Sequence, residues 1–277
     1  MMIDPRVYQQ PLLKLSRRAG EAIAEIYGDS AKLAVELKGD NSPITIADKT
    51  SHSLLVTGLR EFEGGYPILS EESNMPKWSE RRKWQTYWLV DPLDGTKEFI
   101  DRTGDFTINI ALIHQHKSIL GLIYLPMAKR AYLGVPGQFA ISVQGSESVD
   151  LCPRVTASDS ELIMQTSRRH RSEALDQCRG LLERHFPKVS RQYVGSALKF
   201  CHLAEGRADI YPRFSPCSEW DTAAGQALLE AVGGQLLDLN FLPLSYNRKS
   251  SLINPYFYAL ANGNFDWQDV LSAEFRE

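Results

Sequence analysis

Trp88-Leu89-Val90-Asp91-Pro92-Leu93-Asp94-Gly95-Thr96-Lys97-Glu98-Phe99 passes from an apolar run into a turn, with two carboxylates three residues apart at the junction. The run reads as a strand. Pro92 fixes φ and removes a backbone donor, so a sharp turn is expected after Asp91, with a helix starting near Thr96. Acids at such a junction suit a hard divalent cation, and N–H groups freed at the helix start suit an anion. An ordinary Asp cap on a type I turn would explain either acid alone. The pair after a strand favours the cation.

Two other clusters could complete the same site. Ser70-Glu71-Glu72 ends a short apolar run, Pro67-Ile68-Leu69, and Asp221 stands at the head of the Ala-rich segment Thr222-Ala223-Ala224-Gly225. Strand ends and helix starts are where layered α/β folds collect ligands. Asp48 opens a further helical segment after Thr45-Ile46-Ala47 and by itself reads as a cap. No Ser–His–Asp or Cys–His constellation stands out, none of the six histidines sits in a metal-binding motif, and no glycine-rich phosphate loop is present. Chemistry therefore has to rest on acids, metal and water.

Outside these motifs the apolar periodicity gives the architecture. Leu12, Leu15, Ala19, Ala22, Ile23 and Ile26 predict a helix over 11–27, and a second is expected from Ala47 to the Gly64-Gly65 pair. From Phe106 to Val143 four strands divided by turns predict an antiparallel meander. The second half alternates strands (161–166, 208–211, 235–239, 256–261) with helices (171–186, 197–205, 221–231). This order predicts an α+β chain of two sub-domains, 1–148 and 149–277, meeting at a cleft.

With 277 residues, 43% of them hydrophobic, the chain can bury one large core or two apposed ones. A net charge of -3 gives no sign of a nucleic-acid or membrane surface. Arg81-Arg82-Lys83 reads as solvated surface. The four cysteines form no Cys-x-x-Cys pair, which argues against zinc and against a disulfide framework. No secretory signal or membrane-spanning run is expected, so the chain reads as cytoplasmic; nothing sets an oligomeric state.

The pieces Ser70-Glu71-Glu72, Asp91-Pro92-Leu93-Asp94-Gly95-Thr96 and Trp220-Asp221-Thr222-Ala223-Ala224-Gly225 resemble, in order and separation, the lithium-sensitive, magnesium-dependent phosphatases of the inositol monophosphatase superfamily. Gly95-Thr96-Lys97-Glu98-Phe99, Asp40-Asn41-Ser42-Pro43-Ile44-Thr45 and Gly195-Ser196-Ala197-Leu198-Lys199-Phe200-Cys201 resemble its CysQ-type 3'(2'),5'-bisphosphate nucleotidases, as does Ala204–Phe214. Ala197, where a second Ser is common, and Cys217-Ser218-Glu219 depart from that pattern.

The resemblance implies a layered α/β/α/β/α sandwich with the site in the cleft between its sub-domains. It implies two magnesium ions held by Glu71, Asp91, Asp94, Asp221 and the Leu93 carbonyl, with Asp48 beside a third, weaker position or orienting water. Gly95 and Thr96 would meet the scissile phosphate, Thr96 also aligning the attacking water, and Asp221 would touch substrate as well as metal. Ser196, Lys199, Arg213 and His170 match positions near the nucleotide and its retained phosphate.

The implied reaction converts 3'-phosphoadenosine 5'-phosphate, a small bisphosphorylated nucleotide, to AMP and phosphate during sulfur metabolism. 3'-Phosphoadenylyl sulfate is a second candidate substrate. The alternatives are an inositol monophosphatase, a sugar bisphosphatase, or a catalytically silent nucleotide-binding module. The resemblance also allows peripheral association with the cytoplasmic face of the inner membrane.

Overall fold

The structure, a computed structural model, describes residues 3–29, 35–37, 39, 43–167 and 172–271. After a 3-10 turn at Pro5–Tyr8, helix α1 (Gln9–Gly28) buries Leu12, Leu15, Ala19, Ile23 and Ile26, the stripe that its periodicity predicts. A two-stranded ribbon, β1 (Val35–Leu37) and β2 (Pro43–Thr45), leads into α2 (Ile46–Arg60). This helix stops ahead of Gly64-Gly65, and its start is a capping box between Thr45 and Asp48.

Seven strands form the first large sheet. They are β3 (Ile68–Ser70), β4 (Thr86–Asp94), β5 (Thr107–His114), β6 (Lys117–Leu125), β7 (Arg130–Val135), β8 (Phe139–Gln144) and β9 (Glu147–Asp150), paired in that order. The short helices α3 (Trp78–Arg81) and α4 (Thr96–Ile100) flank β4. All pairings are antiparallel except β3 with β4. The predicted meander is present, and the sheet closes at Asp150, just past residue 148.

One expectation is corrected here: Pro92 does not end the strand. β4 runs on to Asp94, and its pairing with β5 slips between Asp91, opposite Asn109, and Asp94, opposite Thr107. A slip of this kind tolerates proline because the missing N–H is not needed in the ladder. The Pro92 carbonyl accepts instead from Ser51 Oγ at 2.7 Å.

The second sheet is mixed, in the order β11 (Lys188–Tyr193), β10 (Glu161–Thr166), β12 (Ile210–Arg213), β14 (Phe257–Leu260), β13 (Gln235–Asp238). Helices α5 (Glu173–His185), α6 (Leu198–Ala204), α7 (Glu219–Ala231) and α8 (Trp267–Leu271) complete the chain. Strand alternation sorts the side chains into layers. Trp88, Val90, Ile108 and Ile110 face α1 and α2, whereas Tyr87, Leu89, Ala111 and Ile113 join α6 and α7. Tyr211, Phe257 and Ala259 reach that same middle layer from the second sheet, while Ile210, Tyr258 and Leu260 pack with α5 and α8. The result is the α/β/α/β/α sandwich.

Helix α7 lies very close on the first sheet because β6 and β7 offer glycines beneath it. A Cβ on Gly121 would stand 2.1 Å from the Ala224 carbonyl oxygen, and one on Gly134 2.7 Å from Leu228 Cα.

Candidate active site

Three acids converge where β3, β4 and α7 meet. Glu71, Asp91 and Asp221 each offer a carboxylate oxygen, and these oxygens lie within 4.8 Å of one another. Glu71 follows β3, and its N–H donates to the Val90 carbonyl at 3.1 Å, which seats it beside β4. Asp91, 1% exposed, accepts the Leu93 N–H at 3.0 Å. Asp221 lies inside α7 rather than before it: Ser218 caps the helix, and the Ser218 N–H donates to Asp221 Oδ2 at 2.9 Å. Asp94 stands beside the trio and accepts from Asn109 Nδ2 at 3.4 Å and from the Ala197 N–H.

Packed this closely, the acids disturb one another. Burial first, then Glu71, Asp94 and Asp221, holds the Asp91 carboxyl well above its ordinary range. Burial, then Asp94 and Glu71, pushes Asp221 up to about 8. Asp94 is raised by burial to about 6, against the pull of Lys199. Oxygen donors whose ionised forms repel in a dry corner are what a hard divalent cation relieves. The donor set therefore fits magnesium.

A second capping box serves the next part of the site. Asp48, 1% exposed, accepts from the Thr45 N–H at 2.7 Å and the Thr45 hydroxyl at 2.6 Å through Oδ2, leaving Oδ1 to accept the Thr96 hydroxyl at 2.9 Å. Between Asp94 and Thr96, Gly95 takes φ +94, a left-handed conformation at the start of α4. Its own Cβ position would meet Asp105 O at 3.2 Å and Ser196 Cβ at 3.3 Å, so the site is also too tight for a side chain.

Opposite the acids stands a cationic wall. Lys199, 2% exposed, donates to the carbonyls of Ser196 (2.6 Å) and Val194 (3.2 Å), and its Nζ lies 4.8 Å from the centre of the Tyr211 ring. Burial, and then the nearby Arg213 charge, lowers Lys199 to about 8. Arg213 donates to the carbonyls of Ser215 and Pro216 and to the Tyr211 hydroxyl. Acids and cations line one cavity of about 340 Å³, together with Leu93, Gly95, Thr96 and Ser196.

The structure thus brings Glu71, Asp91, Leu93, Asp94, Gly95, Thr96, Ser196, Lys199, Arg213 and Asp221 to one cleft, with Asp48 joined to it through Thr96. His170 and Asp40-Asn41-Ser42 lie outside the described residues. Sequence reading missed Asn109, which faces Asp91 across the β4–β5 pair and holds Asp94. It also missed Tyr211 beneath Lys199. At Ala197 the departure costs the site nothing visible, because the bond to Asp94 comes from its backbone. Arg81 corrects a further expectation: it is buried, not solvated.

Comparison with known proteins gives the family. The sequence profile of the Inositol monophosphatase family matches residues 4–266. The chain is 40% identical over 249 residues to the 3'(2'),5'-bisphosphate nucleotidase CysQ of Salmonella typhimurium, covering 90% of this chain and 97% of that protein. It is 41% identical over 245 residues to its Escherichia coli K12 counterpart, covering 88% and 96%. The crystal structure of CysQ from Bacteroides thetaiotaomicron, a bacterial member of the inositol monophosphatase family, superposes with a TM-score of 0.81 at 37% identity, covering 94% of this chain and all of that one. Fold, acids and sequence converge: the chain is a CysQ-type member of the inositol monophosphatase family.

Proposed function

We propose that this chain is a magnesium-dependent 3'(2'),5'-bisphosphate nucleotidase that hydrolyses the 3'-phosphate of 3'-phosphoadenosine 5'-phosphate, giving AMP and phosphate. One observation carries the reading. A carboxylate cluster, buried Lys199 and half-buried Arg213 line a single cavity of about 340 Å³, which provides for a metal-bound phosphate and for a second anion. The relatives named above bear the same activity in their names.

Glu71, Asp91, Asp94, Asp221 and the Leu93 carbonyl would hold two magnesium ions, with Asp48 near a third position. Bound there, the metal would supply Lewis acidity toward the phosphate and a lowered pKa for water. The chain's own groups do the rest. Thr96 donates its hydroxyl hydrogen bond to Asp48 Oδ1, which would leave its oxygen lone pairs to accept a hydrogen bond from the attacking water and so orient it. Asp48 keeps that orientation because its other oxygen is committed to Thr45. The N–H groups of Gly95 and Thr96 offer donors to the scissile phosphate, and Ser196 lines the same cavity.

Lys199 and Arg213 would read the retained 5'-phosphate, the first as a point charge and the second as a planar fork. His170 would contribute near the nucleoside. An inositol monophosphate has no second phosphate for this wall, which disfavours that alternative. A cytoplasmic setting belongs to the same proposal: Cys178, Cys201 and Cys217 are buried free thiols, and no described helix is long and apolar enough to cross a membrane.

A substrate panel tests the assignment. With magnesium, phosphate release from 3'-phosphoadenosine 5'-phosphate should exceed that from inositol 1-phosphate by at least about a hundredfold in kcat/KM, the worth of one buried charge-assisted contact pair. Equal or reversed rates would overturn the substrate and leave the acidic cluster standing.

A further inference from the structure

Arg81, the last residue of α3, reads as surface from sequence, yet it is 2% exposed. A guanidinium is rarely buried unless its donors are used. Nη1 donates to Asn247 Oδ1 and, at 3.2 Å, to the Lys249 carbonyl; Nη2 donates to the Ser250 carbonyl; and Cζ lies 4.8 Å from the centre of the Trp78 ring. Asn247 answers with Nδ2 to the Arg81 carbonyl at 2.6 Å. The contact is a reciprocal clasp between residues far apart in sequence.

Both sides of the clasp lead directly to the acids. Arg81 sits in the connection that runs from β3, which delivers Glu71, to β4, which delivers Asp91. The clasped loop, 247–254, grips the first turn of α7. The Asn247 N–H donates to Glu219 Oε2 (2.8 Å), and the Glu219 N–H donates to the Leu252 carbonyl (2.8 Å). Asn254 Nδ2 reaches the Ser218 carbonyl (2.7 Å) and Thr222 Oγ1 (3.0 Å), while the Asn254 N–H donates to the Cys217 carbonyl (2.8 Å). Asp221 lies within the span held this way.

We infer that Arg81 is a positioning residue for the divalent-cation site: it locks the loop that holds Asp221 onto the connection that carries Glu71 to Asp91. The spacing of three carboxylates drawn from both halves of the chain is thereby set by one side chain. Lysine cannot replace it, because a single ammonium does not present a planar fork to acceptors on one side and an aromatic face on the other. The inference rests on the reading of these acids as a cation site.

Calorimetric titration of Mg2+ into metal-stripped protein provides the test, with wild type, Arg81→Met, Arg81→Lys and Leu182→Ala compared. Leu182 belongs to the core beneath α5, remote from the clasp, and supplies the control for general loss of stability. Arg81→Met should bind Mg2+ about tenfold to a hundredfold more weakly, the usual loss when a partner that orients metal ligands is removed. Arg81→Lys should recover only part of that. The Mg2+ concentration for half-maximal activity should rise in step, with a smaller fall in kcat at saturating Mg2+. Leu182→Ala should melt earlier and bind Mg2+ as wild type does.

Should Arg81→Met not fold, Asn247→Gly takes its place, since glycine accepts the φ of 54° found there and loses only the side chain; a weakening of about threefold or more is expected. Wild-type affinity in the clasp variants, or an equal loss in Leu182→Ala, overturns the positioning role alone. Absence of Mg2+ binding by wild type overturns the cation site itself.

Discussion

The two walls of the cleft carry opposite charge and are held by opposite ends of the peptide dipole. On the acidic wall, backbone N–H groups of Leu93, Ser218 and Thr45 donate to Asp91, Asp221 and Asp48. On the cationic wall, carbonyls of Val194, Ser196, Ser215 and Pro216 accept from Lys199 and Arg213. Each wall has its charges oriented, and the two walls attract: Lys199 draws Asp94 down and Arg213 draws Asp221 down, though burial outweighs both. The acids are raised by burial and by one another, and Lys199 is lowered by burial and by Arg213. On the proposed function, a substrate phosphate held on the metal would belong to the first wall, and a second phosphate to the other.

Neutralising one acid should disable the first wall. Asp94→Asn should lower kcat by at least about a thousandfold, because it removes charge where developing charge must be balanced, while the protein stays folded. Stopped phosphate-release assays and a melting curve check this together. Near-normal turnover would mean that the acidic wall is not the reacting one.

Arg213→Ala tests the second wall. It should raise KM for 3'-phosphoadenosine 5'-phosphate about tenfold to a hundredfold and leave a monophosphate substrate within about threefold. A parallel loss on both substrates would place Arg213 with the reacting phosphate and erase the division between the walls.

The smallest effect concerns pH. Asp94 at about 6 and Asp221 at about 8 lie above their ordinary 3.8, so the folded, metal-free chain retains protons that the unfolded chain has released. Their contribution to stability is therefore present at low pH and is lost as pH rises from about 4 to about 8. Mg2+ requires the ionised acids and acts in the reverse direction. The rise in Tm produced by saturating Mg2+ should grow by several degrees from about pH 5 to about pH 8. A Mg2+ shift that is flat or shrinks over this range would detach those acids from the metal.

How much of this was legible in sequence follows the same division. Glu71, Asp91, Asp94 and Asp221 announce themselves because each sits in a short contiguous motif at a strand end or helix start. Lys199 and Arg213 carry no such local mark, and only the family resemblance singled them out. Their meeting depends on α6 and β12 being brought together beneath the acids, a non-local fact. Pro92 misled because a ladder slip and the Ser51 hydroxyl absorb what proline lacks. Strand β11 was not foreseen because Lys188-Val189-Ser190-Arg191-Gln192-Tyr193 is polar, as suits an edge strand. Arg81 was misjudged for a related reason: three basic residues in a row look wet until a distant loop is seen to cover the first of them.

The absence of side chains at Gly121 and Gly134 has a reach beyond packing. One methyl group at Gly121 would have to lift the helix backbone by about 1 Å, a displacement that alone can cost a hundredfold in rate when it moves a reacting group. Asp221 rides on that helix one turn away. The thinness of a contact on the far side of a scaffold thus becomes a tolerance for chemistry, and a position that never sees substrate is as constrained as the acids themselves.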